Sequence, residues 1–67
     1  MDATDGQRVA GYLVLRDAEG RRHALRATTI LGVSELDDAG DECLLVLPGG
    51  RLLRVHKSLD AVLSWLC

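Results

Sequence analysis

The amino-acid sequence predicts an α+β fold: a small antiparallel β-sheet of four to five strands in two hairpins, with one short C-terminal helix. Three observations carry this expectation. Short runs rich in Leu, Val and Ile alternate with polar, Gly-containing breaks of turn length. Two of those runs, CLLVLP and RLLRVH, are separated by Gly49 and Gly50 alone. The last segment, KSLDAVLSWLC, changes to helical spacing, with Leu59, Val62, Leu63 and Leu66 on one stripe.

The chain has 67 residues, which bounds it to one small domain without room for a cleft between lobes. Residues 1–8 (MDATDGQR) lack periodicity and read as a flexible N-terminal arm, leaving residues 9–67 as a single β-rich domain. VAGYLVLR follows as one strand, DAEG as a turn, and RRHALRA as the returning strand. TTILGVSEL is either a strand bulged at Gly32 or a short helical turn from Thr28, and the bulged strand is preferred. DDAGDE is a polar connector between antiparallel strands.

A two-residue Gly49-Gly50 loop sets a register for the second hairpin. It places Leu47 opposite Leu52, Leu45 opposite Arg54, Cys43 opposite His56 and Glu42 opposite Lys57. One face then carries Leu44, Val46, Leu53 and Val55, and the other Leu45, Leu47 and Leu52. The helix, capped by Ser58 with Asp60 in its first turn, covers one face. The uncovered face predicts a homodimer through Leu45, Leu47 and Leu52, with Trp65 at the rim.

Composition narrows the function classes. With no Phe and aromatics at 3%, Tyr12 and Trp65 cannot form the multi-ring platform that binds single strands. Eight basic residues against ten acidic ones give a net charge of −2, which is not the balance of an autonomous nucleic-acid binder. The two cysteines, Cys43 and Cys67, have neither a signal peptide ahead of them nor a disulfide framework, so a cytoplasmic location is expected. Apolar runs fall short of the roughly 20 residues of a membrane helix. Cys43 with His56 would give two ligands where closed zinc needs four, so no metal or other cofactor is expected. Ser34, Ser58 and Ser64 lack a nucleophile context, and the protein is expected not to be an enzyme. The acidic run from Glu35 to Glu42 does not fit a calcium loop.

The arginines are the informative polar feature. Two loop lengths are open for the first hairpin. One puts Arg16 opposite Arg22 and Tyr12 opposite Arg26, gathering three guanidinium groups on one face; the other pairs Asp17 with Arg22 and neutralises it, and is preferred on electrostatic grounds. Arg54, His56 and Lys57 complete the set of candidate partner-binding residues.

From about Leu13 to Leu66 the layout resembles the small flagellar FlbD family, most closely in ECLLVLPGGRLLRVHKSLDAVLSWL, with its strand, Gly turn, strand and Ser-started helix. The resemblance implies a cytoplasmic accessory or regulatory role. YLVLR and RVHK are also similar in placement to the binding strands of RNA-binding carbon storage regulators, which would implicate Arg16, Arg54, His56 and Lys57. Together these readings predict a small homodimeric protein-binding adaptor or regulator of bacterial origin. A phage-encoded inhibitor of a host complex and an RNA-binding regulator are the alternatives.

Overall fold

The structure, a computed structural model, describes residues 5–66. Its strands form two antiparallel three-stranded sheets, with one C-terminal helix. The first sheet comprises β1 (Gln7–Val9), β2 (Tyr12–Arg16) and β3 (Arg22–Leu25) in that order. A 3-10 turn at Ala27–Thr29 leads into the second, made of β4 (Gly32–Glu35), β5 (Cys43–Leu47) and β6 (Arg51–Val55), again in chain order. Helix α1 (Leu59–Leu66) closes the chain against β4. The predicted α+β class holds, and the strands number six because the first predicted one is itself a hairpin.

That hairpin turns at Ala10 and Gly11, both at positive φ (54° and 84°), so Val9 pairs with Tyr12 and Gln7 with Val14. A non-glycine residue rarely adopts this conformation, and Ala10 hid the turn from the sequence reading. Gln7 and Arg8, expected in a flexible arm, therefore belong to a strand; residues 1–4 of that arm lie outside the described residues. The segment expected as a bulged strand around Gly32 is a 3-10 turn followed by a strand that begins at Gly32.

The second hairpin forms where expected, but one residue out of the expected register. Pro48 joins Gly49 and Gly50 in a three-residue turn, so Leu47 pairs with Arg51, Leu45 with Leu53, Leu44 with Arg54 and Cys43 with Val55. Because side chains alternate with period two, this slip exchanges the faces of β6 relative to β5. Cys43, Leu45, Leu53 and Val55 share the inner face, whereas Leu44, Val46, Leu52 and Arg54 point outward.

The core lies between the sheets, built from Leu13 and Leu15 of β2, Cys43 and Leu45 of β5, Val55 of β6 and Val62 of α1. Leu45 is fully buried and Leu47 only 6% exposed, so both belong to the chain's own interior and not to the expected dimer surface. Leu52 remains outside at 58% exposure.

The helix begins as predicted: the Ala61 N–H donates to Ser58 Oγ (3.1 Å), which satisfies one of the free donors of the first turn. Asp60 sits in that turn and Val62 is buried. Trp65, expected at a dimer rim, instead packs within the chain on the core and over Gly6. The Arg8 Nη2 donates to the Trp65 carbonyl (2.8 Å) and places a cation at the helix C-terminus, where the dipole favours one. The first strand and the last helix are thereby joined across the fold. No helix among the described residues is long and apolar enough to cross a membrane.

Candidate binding face

The first sheet has one buried and one solvent face. On β2, Leu13 and Leu15 are fully buried while Tyr12 and Arg16 are exposed, as alternation along a strand requires. Arg16 pairs with Arg22 and Val14 with Ala24, so the outer face carries Arg16, Arg22 and Val14, with Tyr12 at its far end. Arg26 follows β3 there and sets its guanidinium carbon 4.9 Å from the centre of the Tyr12 ring, a cation–π contact. Val9, paired with Tyr12 from β1, extends the face with an exposed aliphatic side chain.

This is the arginine-gathering register, and the neutralised alternative in which Asp17 answers Arg22 is corrected. Asp17 is already engaged. Its Oδ1 accepts from the backbone N–H groups of Glu19 (2.9 Å) and Arg21 (3.0 Å), and its Oδ2 meets His23 Nε2 at 2.7 Å. The side chain of Asp17 is 8% exposed. Such a side-chain–backbone turn is a reason Asp favours the start of a loop, and it withholds the carboxylate from the arginines. Arg16 donates to the Gly20 carbonyl at 3.3 Å, closing the same turn from its other side.

The bond to His23 holds the Asp17 carboxyl below its ordinary pKa, assisted by the Arg21 and Glu19 N–H groups and by the charge of His23, with desolvation opposing. A carboxylate with a depressed folded-state pKa contributes stability above its unfolded pKa and loses it as pH falls through the folded one. Unfolding midpoints of the wild type are therefore expected to drop, as pH falls below about 4, by more than those of Asp17→Asn, which lacks this titration. Urea titrations at stepped pH measure the difference.

The other candidate partner-binding residues lie elsewhere. Arg54, on the outer face of the second sheet, donates to both carboxylate oxygens of Glu42 (3.2 and 2.9 Å). His56 Nδ1 lies 2.6 Å from the same Glu42. Glu42 thus pairs with Arg54 and His56, and not with Lys57 as the expected register had it. Lys57 is exposed beyond β6. The seven candidates therefore divide, with Tyr12, Arg16, Arg22 and Arg26 together and the remaining three apart.

Cys43 and His56 also separate, since Val55 takes the place opposite Cys43. The Cys43 thiol is fully buried, and burial followed by the nearby charge of Glu35 pushes its pKa up, the opposite of what a reactive thiolate needs. Among the described residues no group of three His, Cys, Asp or Glu is placed to hold a metal ion. In the acidic connector, Asp37 Oδ1 accepts the Gly40 N–H (3.0 Å), which makes part of that run a turn device.

Sequence reasoning missed Val9 as part of the face and the Asp17–His23 pair. The first had no signal because the Ala10 turn was hidden. The second had one in the D-x-E-x-R spacing of an Asp-initiated turn. Compared with known families, curated proteins and solved structures, the chain matches none.

Proposed function

We propose that this chain is a non-catalytic binding module, a small cytoplasmic adaptor or regulator, which receives an acidic segment of a protein partner on the outer face of its first sheet. The observation that carries the reading is the placement of Arg16, Arg22 and Arg26 on one face with Tyr12, while Asp17 is held by His23 and the turn backbone. Three guanidinium groups gathered on one face of a sheet give it a positive potential that complements an anionic segment. Exposed Tyr12 and Val9, with half-buried Val14, add apolar surface beside the cations, which suits a peptide carrying both carboxylates and aliphatic side chains.

An acidic peptide fits better than a nucleic acid. The net charge of −2 opposes a long polyanion, and one exposed aromatic ring does not make a stacking platform. The accessory role implied by the FlbD-like pattern agrees with this reading, which needs no second copy of the chain.

Fluorescence anisotropy with a labelled Glu-rich peptide and a random single-stranded RNA, each across a salt series, tests the proposal. The peptide is expected to bind more tightly than the RNA, and Arg22→Glu with Arg26→Glu to weaken it by about tenfold or more. Lys57→Glu, away from the face, should leave it unchanged. RNA binding tighter than peptide binding, with loss in the same double variant, would move the assignment to an RNA regulator.

A further inference from the structure

A second feature lies where the two sheets meet at one end. Leu25 at the end of β3, Thr29 of the 3-10 turn, Leu47 at the end of β5, Pro48 of the turn and Arg51 at the start of β6 line a cleft of about 210 Å³. None of Tyr12, Arg16, Arg22 and Arg26 lines it. Cofactor and drug-sized ligands occupy roughly 300–1,000 Å³, so this cleft admits an object the size of one side chain.

Its chemistry is divided. Leu25, Leu47 and Pro48 supply apolar walls. Arg51 is exposed and its guanidinium has no ion pair or side-chain hydrogen bond among the described residues. Thr29 donates its hydroxyl hydrogen to the Arg26 carbonyl (2.7 Å), so its oxygen is left to accept and not to donate. An apolar slot beside an uncommitted guanidinium complements an aliphatic side chain joined to a carboxylate, and a neighbouring acceptor complements a backbone N–H. A polypeptide C-terminus with an aliphatic last residue has all three groups on adjacent atoms. We infer that the cleft receives such a C-terminus from a partner polypeptide, with Arg51 holding the terminal carboxylate in a charge-assisted fork.

The test uses a fluorescein-labelled Gly-Ser-Gly-Ser-Val-Leu peptide with a free C-terminal carboxylate, and the same peptide as its C-terminal amide, in anisotropy titrations of the intact protein. The acid is expected to bind about tenfold or more tightly than the amide. Arg51→Gln should remove that preference and leave the amide's affinity unchanged, while Arg51→Lys, which keeps the charge, should retain part of it. Circular dichroism of each variant establishes that the fold is intact. Equal affinity for acid and amide, absence of binding by both, or insensitivity to Arg51→Gln would overturn the inference. So would 4-methylpentanoate displacing the peptide at an equal concentration, because the site would then serve a free small acid. Dependence on Arg51 separates this site from the arginine face, since none of Arg16, Arg22 and Arg26 lines the cleft.

Discussion

Truncating Leu45 to alanine is expected to cost about 2–5 kcal/mol, the range for deleting a fully buried leucine and leaving a cavity. Leu45 has no solvent exposure and belongs to the same core cluster as Leu13 and Leu15 of the other sheet. A single core in a domain this small supplies roughly 3–5 kcal/mol in all, so Leu45→Ala should lose most of the fold's stability. Leu52 is the same residue type on the same hairpin at 58% exposure, and Leu52→Ala should fall within about 0.5 kcal/mol of wild type. Urea unfolding of the two variants compares them. The contrast also reports the hairpin register, because a two-residue loop would place both leucines on one surface and give them similar costs.

Gly6→Ala is expected to be the next most damaging change, at about 2 kcal/mol or more. Gly6 sits at φ +85°, where an L side chain is strained, and an added Cβ would lie 2.3 Å from both Cδ1 and Nε1 of the Trp65 indole. The indole must swing off Gly6, next to the place where Arg8 donates to the Trp65 carbonyl. Trp65 is the sole tryptophan, so its emission reads the event directly. A red shift with a lowered unfolding midpoint is the expected outcome. Unchanged emission and stability would mean that the segment before β1 is not docked on the helix.

The elements legible in the sequence are those whose signals are local. Ser58, Asp60 and the spacing of Leu59, Val62 and Leu66 specify a capped helix, and it forms as read. Gly49 and Gly50 between two apolar runs specify a hairpin, and it too forms. Its register was not legible, because CLLVLP and RLLRVH are apolar at successive positions and offer no alternation to choose a face. Pro48 decided it by entering the turn. The hairpin turning at Ala10 and Gly11 was lost for a different reason, since an alanine at positive φ carries no sequence signature of a turn. The arginine face was visible only as one of two registers. The choice depended on Asp17, whose bond to His23, six residues away across the turn, outweighed the ion pair that charge counting favoured. The cleft at Arg51 joins residues from β3, a 3-10 turn, β5 and β6, a juxtaposition that no spacing along the chain encodes.

Amide and arginine side-chain chemical shifts of the isotopically labelled protein, followed as the Glu-rich peptide is added, test the central claim most directly. Shifts concentrated at Tyr12, Val14, Arg16, Arg22 and Arg26, diminishing as salt is raised, are the predicted result. Shifts centred on Leu44, Leu52 and Arg54 of the opposite sheet, or no shifts at any residue, would contradict it.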